Sequence, residues 1–235
     1  MKIPKILIAA PTSINKRYCD AEFISHAKAF TYPNKEIFLV DNSPTPHYSE
    51  ELKKYGINVE YISPRGRPLR ETMTICNNVI RDKVLNEDFD YLFSLETDQF
   101  PATNILEVLV SHNKPVISVP YFIGHGSERL LLERTLVESK TGEGLDEKSL
   151  SFLDGFFFVD GDLNQIFSCG IGCMLLKREV LEKLTFRVDT KQNTDCHADT
   201  FFSKDIFTAN FDNMSDTSVL SWHYNGDWST VIDRF

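Results

Sequence analysis

The sequence is short of several things, and each shortage removes a class of protein. Five cysteines, at positions 19, 76, 169, 173 and 196, form an odd, scattered set among 235 residues, so no disulfide framework is expected and a reducing compartment is the simpler setting. Cys169-x-x-x-Cys173 followed by Cys196-His197 lacks the paired knuckle of a structural zinc site. No apolar run approaches the ~20 residues a membrane span needs. The early run Ile6-Leu7-Ile8-Ala9-Ala10 is too short for a signal-peptide core and stops at Pro11. Positive charge is scarce: 25 Lys+Arg stand against 34 Asp+Glu, a formal charge of −9 that repels a nucleic-acid backbone at long range. Repeats, low-complexity tracts and a linker between two units are also missing. The expectation is a soluble, cytoplasmic chain of one domain, without a transmembrane segment or a nucleic-acid partner. A small phosphorylated ligand stays compatible, because a local basic patch or a bound cation overrides the average field.

What is present is alternation. Segments 5–10, 36–40, 58–62, 90–95 and 116–119 are rich in Ile, Leu, Val, Phe and Tyr at strand length. Between them, 19–30 sets Phe23, Ala27 and Phe30 on one helical face. In 68–85, Leu69, Met73, Cys76, Ile80 and Val84 recur at helical spacing behind Pro68. Strands alternating with helices predict crossover connections and an α/β fold with a mainly parallel central sheet, whose ligands bind beyond the carboxyl ends of the strands. The second half is less regular. Segment 124–144 reads as a long polar loop or lid; 152–158, 165–168, 172–176 and 218–222 read as strands, and 178–184 and 199–209 as helices.

The strand ends carry the chemistry. Tyr91-Leu92-Phe93-Ser94-Leu95 runs out into Glu96-Thr97-Asp98, and residues two apart on an extended chain face the same way. Two carboxylates so placed suit Mg²⁺ or Mn²⁺, hard cations usually held by one or two carboxylates together with substrate phosphates. The plainer alternative is that Asp98 caps a following helix near Pro101 while Glu96 is solvated. Strand 36–40 likewise ends in Asp41-Asn42-Ser43-Pro44, where an Asx turn is the structural alternative. The first strand ends in Pro11-Thr12-Ser13. Arg65, Gly66, Arg67 and Arg70 form the one basic cluster, suited to a diphosphate or, more simply, to a solvated helix start.

In these motifs the chain resembles the GT-A glycosyltransferases, especially the large family-two-like group. The similarity lies in Pro11-Thr12-Ser13-Ile14-Asn15 after the first strand, Asp41-Asn42-Ser43 after the second, the Arg-bearing turn and helix at 65–78, and Glu96-Thr97-Asp98 where that family has Asp-x-Asp. Downstream, Gly170-Ile171-Gly172 followed by an apolar strand and Lys177-Arg178-Glu179-Val180-Leu181 is similar to the family's Gly-x-Gly and Arg-Arg-Glu-Val-Leu segment. The likeness covers most of the chain and is weak between about 121 and 165.

The resemblance implies a single Rossmann-like GT-A domain, with about 1–100 as a nucleotide-binding half and about 101–235 as an acceptor-binding half. It implies a metal-dependent, inverting glycosyltransferase using a UDP- or GDP-type nucleotide sugar and a glycan, lipid-linked or protein acceptor. Pro11, Thr12, Asp41, Arg65, Arg70, Glu96, Thr97 and Gly170 then border the nucleotide and donor. Asp98 and, near the C-terminus, His223 hold Mn²⁺ or Mg²⁺. Asp199 is the expected base, with Asp195 second, although an Asp before an apolar helix is equally a capping residue. Trp222, Trp228, Tyr121 and Phe122 are candidates for stacking on a sugar, or for plain packing. Two rivals remain. A nucleotidyltransferase shares the sheet and the carboxylates, but the loop after the first strand lacks that group's glycines. A non-catalytic nucleotide- or glycan-binding relative would need neither Asp98 nor Asp199.

Overall fold

β1 (Ile6–Thr12) is apolar on both faces, a pattern that only a strand covered from both sides tolerates. Ile6, Ile8 and Ala10 enter one buried cluster, while Leu7 and Ala9 enter the other. The structure, a computed structural model, describes residues 2–125, 128–131, 133–136, 150–152, 161, 163–189 and 197–224. From β1 the chain passes through α1 (Asp20–Ala29), β2 (Lys35–Asp41), α2 (His47–Lys53), β3 (Asn58–Tyr61), α3 (Leu69–Asn86) and β4 (Tyr91–Leu95). A short β5 (Gln99–Phe100), α4 (Ile105–Ser111) and β6 (Val116–Ser118) follow. Next come β7 (Phe122–His125), β8 (Glu128–Leu131), β9 (Glu133–Leu136), β10 (Leu150–Phe152), β11 (Leu163–Gln165) and β12 (Ser168–Cys169). The described chain closes with β13 (Cys173–Lys177), α5 (Arg178–Lys183), α6 (Ala198–Thr208), β14 (Asn213–Asp216) and β15 (Trp222–His223).

The main sheet has the order β11-β14-β6-β13-β4-β1-β2-β3, in which β13 and β11 run against the other strands. It is the expected α/β sheet, mostly parallel, with helices on both faces. α1, α2 and α4 cover one face, and α3, α5 and α6 the other. Strand order reverses between β1 and β4: from β1 the chain builds outward through β2 and β3, then returns to β4 on the other side. A crevice opens beyond the carboxyl ends at such a reversal.

α3 and α5 terminate each other. The Arg178 guanidinium donates to the carbonyls of Val84, Leu85, Glu87 and Phe89 at 2.7–3.1 Å, where α3 has run out of its own N–H partners. Arg81 of α3 returns the favour with Nε at 2.8 and 2.7 Å from the carbonyls of Leu181 and Leu184. Asn78 pairs in both directions with the Phe186 backbone.

Several expected elements move. The strand expected at 218–222 forms only at Trp222–His223, and Ser218 lies instead in a turn held by Asp216. β14 takes the place in the main sheet, its Asn-Met-Ser-Asp sequence too polar to announce a buried strand. The supposed loop at 124–144 contains the β7–β8 hairpin and β9, with 137–144 outside the described residues. Segment 165–168 is split, since β11 ends at Gln165 and β12 begins at Ser168. In 152–158 only Phe152 is described. α2 carries no long apolar period and was not expected, whereas α4 is the helix expected after Pro101. Leu69, expected on the core face of α3, is 67% exposed. The four described cysteines are buried and free, and no described helix is long and apolar enough to cross a membrane.

Two measurements test this packing. Arg178→Ala leaves several carbonyls without a donor and is expected to cost about 2–3 kcal/mol in denaturant unfolding; Arg178→Lys should recover only part of it. Asp216 accepts from the Ser218 N–H and hydroxyl and lies 2.9 Å from His112 Nε2. Burial works to raise its pKa, but the Ser218 hydroxyl and His112 outweigh burial and hold it below the ordinary value. A lowered folded pKa gives stability that is present above the unfolded value and lost as pH falls through the folded one. Asp216→Asn should therefore cost about 1–3 kcal/mol at pH 7. The gap from the parent should narrow below about pH 4.

Candidate functional site

Two loops meet at the crevice between β1 and β4. After β1 the chain makes a single tight turn, Ile14–Lys16, pinned by Ile14 N–H to Ser43 Oγ at 2.8 Å and by Cys19 N–H to the Lys16 carbonyl at 3.0 Å. After β4 the chain carries Glu96 and Asp98 to the rim. The two loops are joined by an ion pair between the Lys16 ammonium and the Asp98 carboxylate. No sequence pattern singled out Lys16, because a lone lysine in a polar turn carries no spacing signal.

His223 arrives from more than a hundred residues away by strand pairing. β15 lies antiparallel to β5, with Trp222 opposite Phe100 and His223 opposite Gln99. The Tyr224 N–H donates to the Asp98 carbonyl at 2.7 Å, and the buried Ser221 hydroxyl donates to Gln99 Oε1 at 2.7 Å. His223 Nε2 consequently sits 3.3 Å from Asp98 Oδ2. One ligand atom each from Glu96, Asp98 and His223 lies within 4.8 Å of the others, a set of two carboxylates and one imidazole that could hold a metal ion.

Asp98 is nearly sealed, its side chain 2% exposed, and its Oδ1 has no hydrogen-bond partner among the described residues. Burial would raise its pKa, but the His223 hydrogen bond and the Lys16 charge outweigh burial and hold it below the ordinary value. Glu96 goes the other way, pushed up to about 7 by burial first and by the Asp98 charge second. The two carboxyl groups divide the cost of sharing one small volume.

Beside this cluster lies a cleft of about 180 Å³. Arg70, Met73 and Asn77 line it from one face of α3, Gly170 and Ile171 from the turn before β13, and His197, Ala198 and Asp199 from the start of α6. Glu96, Tyr121 and His223 close it. Of the residues expected from sequence, Arg70, Glu96, Gly170, Asp199 and His223 thus share one cleft, with Asp98 directly behind His223. Asp199 occupies the second position of α6 rather than the cap, which falls on His197, and its Oδ1 accepts the N–H of Thr200 at 2.8 Å. Asp195 and Trp228 lie outside the described residues.

Other expected residues are not in the cleft. Arg65 is exposed in a turn, with φ of 48° followed by Gly66 at 70°. Thr12 donates to Asp20 Oδ2 at 2.8 Å, a carboxyl that also receives the Tyr48 hydroxyl at 2.6 Å and whose pKa burial raises. Pro11 precedes it in β1, half-buried. Thr97 is buried beneath the rim. Asp41 is fully buried and spends its oxygens on Ser43 N–H and Oγ (2.9 and 2.5 Å) and Ser49 Oγ (2.6 Å). It makes the Asx turn, and a direct contact with a nucleotide would require exchanging those partners.

Gly172, the second glycine of the Gly170-Ile171-Gly172 segment, also belongs to the site. A Cβ there would lie 2.7 Å from the Tyr121 hydroxyl and 2.9 Å from Glu96 Oε2, while the Gly172 carbonyl accepts the Glu96 N–H at 2.8 Å. The second glycine of Gly170-Ile171-Gly172 is therefore required so that Glu96 and Tyr121 can both lie against backbone.

With this geometry established, solved structures identify the architecture. S. aureus TarS 1-349 superposes with a TM-score of 0.57 at 12% identity, over 92% of this chain and 59% of that one. The fold is GT-A-like. The same TarS fragment in complex with UDP gives 0.57 at 12% identity, over 94% and 60%. CMP:2-keto-3-deoxy-manno-octonic acid synthetase complexed with CTP gives 0.51 at 11% identity, over 90% and 88%. The chain thus spans about three fifths of the length of the TarS fragment. No family model and no curated protein sequence matches it.

The packing at Gly172 yields a prediction for the site. Gly172→Ala should push the Glu96 carboxylate away from Asp98 and His223, at an overpacking cost of about 1–3 kcal/mol. A crystal structure of the variant with chemical denaturation reads both effects; an unmoved Glu96 at unchanged stability would contradict the packing described.

Proposed function

We propose that the chain transfers a sugar from a nucleoside diphosphate sugar to an acceptor hydroxyl. The observation that carries this reading is the Asp98 centre: a sealed carboxylate with one oxygen lacking a partner among the described residues, flanked by Glu96 and His223 at the crevice between β1 and β4. That donor set suits Mn²⁺ or Mg²⁺, with the imidazole favouring Mn²⁺. When bound, such an ion supplies Lewis-acid neutralisation of charge on a departing diphosphate. TarS was solved with UDP and the synthetase with CTP, which supports a nucleotide as ligand of this fold.

The protein's own groups have distinct proposed tasks. Asp98 and His223, joined by Glu96, hold the cation. Arg70 faces the cleft from the first turn of α3, where a guanidinium can pair with phosphate oxygens. Gly170 lets the donor sugar approach the backbone. Asp199, on the far wall, takes the proton of the acceptor hydroxyl as its oxygen bonds to the anomeric carbon. Displacement from the face opposite the diphosphate inverts that carbon. Residues before about 100 then serve mainly the nucleotide, and later ones the acceptor.

A second reading, nucleotidyl transfer, has its own support. Lys16 follows β1 directly, as a basic residue in that loop should, and the synthetase is matched over 88% of its length. The absence of glycine between Pro11 and Asn15 weighs against it. A non-catalytic nucleotide-binding role is the remaining alternative.

Calorimetry with UDP, GDP and CDP, each with and without Mn²⁺, followed by turnover assays, separates the three. The expected result is Mn²⁺-dependent diphosphate binding, and release of diphosphate from a nucleotide sugar. Pyrophosphate release from a nucleoside triphosphate would favour the second reading, and binding without turnover the third. Asp98→Ala should lower transfer by at least about 100-fold, about 3 kcal/mol of lost stabilisation. Undiminished turnover in Mn²⁺ would refute the assignment.

A further inference from the structure

The ion pair between Lys16 and Asp98 has a consequence for the cation site. Its ammonium lies on Asp98 Oδ2, the same oxygen that His223 Nε2 approaches, so a positive charge already stands among the three candidate ligands. The Lys16 backbone is fixed, its N–H to Ser13 O at 2.8 Å and its carbonyl receiving Cys19 N–H at 3.0 Å and Cys19 Sγ at 3.3 Å. Its side chain is not: it remains 37% exposed, against 2% for Asp98. Four rotatable carbons on an anchored turn allow the ammonium to leave without moving the loop.

We infer that Lys16 is a built-in competitor for the divalent cation, occupying Asp98 until the ion displaces it. A dication and an ammonium within a few ångströms repel by about 8 kcal/mol at an effective dielectric of 20, so both cannot hold the same carboxylate oxygen. Asp98 meanwhile cannot be left bare, since a buried, unpaired carboxylate is among the costliest groups in a protein. Lys16 satisfies that requirement in the absence of the ion. It thereby weakens cation binding until a diphosphate provides both additional oxygen ligands for the ion and a new anionic partner for the ammonium. Cation and nucleotide are coupled through one side chain.

This inference rests on the Glu96–Asp98–His223 cluster being a cation site, and the test separates the two. Mn²⁺ alone is titrated into the full chain, with free Mn²⁺ read by electron paramagnetic resonance, for the parent, Lys16→Met, Lys16→Arg and Asp98→Asn. Removing the ammonium should tighten Mn²⁺ binding about 10-fold or more, the scale of one partly screened ion pair. Lys16→Arg, which keeps the charge, should stay near the parent, and Asp98→Asn should lose the site. Lys16→Gln serves in the same comparison if the methionine variant does not fold. Equal or weaker Mn²⁺ binding by Lys16→Met and Lys16→Gln, with the site still lost in Asp98→Asn, overturns the competition and leaves the cation site standing. Tightening by Lys16→Arg to the level of Lys16→Met also overturns it. Absence of bound Mn²⁺ from every protein overturns the cation site itself, and the competition with it.

Discussion

A carboxylate with 2% of its side chain exposed needs opposite charge or good donors beside it, and the architecture around Asp98 answers that need. Burying an ion costs several kcal/mol even after relaxation, unless opposite charge or good donors are close. The β1 loop delivers Lys16, and the β15–β5 pairing delivers His223. Neither is near Asp98 in sequence. Both approach Oδ2, and Oδ1 has no hydrogen-bond partner among the described residues. Folding thus brings Glu96, Asp98 and His223 into a group that could hold a metal ion, with one Asp98 oxygen open among the described residues.

The sheet makes this assembly possible. A parallel arrangement puts the ends of β1, β2 and β4 on one rim, and the reversal of direction at β1 and β4 prevents any crossover helix from covering the gap between them. β13, running antiparallel beside β4, begins at that rim rather than ending there. Its preceding Gly170-Ile171-Gly172 turn therefore faces the site with backbone, which is why Gly172 can support the Glu96 N–H and still leave room for the Glu96 carboxylate. Reciprocal capping by Arg178 and Arg81 fixes α3 against α5, and with it the end of α3 that carries Arg70.

The first half of this organisation was legible in the chain, and the reason is periodicity. β1, β2, β3, β4 and α3 are long enough, and apolar enough, for alternation or helical spacing to declare them to within a residue or two. Glu96 and Asp98 were readable because a buried strand that runs into two carboxylates is unusual. β14 was not readable: Asn213, Ser215 and Asp216 are buried by pairing and hydrogen bonds rather than by hydrophobicity. Lys16 and Asn77 gain their place in the site solely from contacts across the fold, and nothing in their immediate sequence records it, whereas Tyr121, a stacking candidate from sequence, does line the cleft. Met73 was read for its apolar period, yet it sits where the core face of α3 grades into the cleft.

Asp20, Asp41 and Asp98 show why sequence position alone does not assign a carboxylate its task. Asp41 ends β2, Asp98 follows β4 and Asp20 opens α1 after β1, and all three are almost wholly buried. Asp41 is surrounded by hydroxyls and N–H groups from its own turn and from Ser49, so neutral donors satisfy it and it holds the β2 loop to the β1 loop through Ser43 and Ile14. Asp20 receives two hydroxyls, from Thr12 and Tyr48, both on Oδ2, while its Oδ1, like that of Asp98, has no hydrogen-bond partner among the described residues. Among the described residues Asp98 receives no such hydroxyl, and its side-chain partners are Lys16 and His223. A carboxylate supplied with neutral donors serves as scaffold, because any exchange of partners loses good hydrogen bonds for nothing. A buried carboxylate whose partners are a partly exposed ammonium and an imidazole instead keeps an oxygen within reach of a competing cation, as proposed for Asp98. Among these three described carboxylates, the difference lies in which donors the fold sends to each: hydroxyls and N–H groups to Asp20 and Asp41, an ammonium and an imidazole to Asp98.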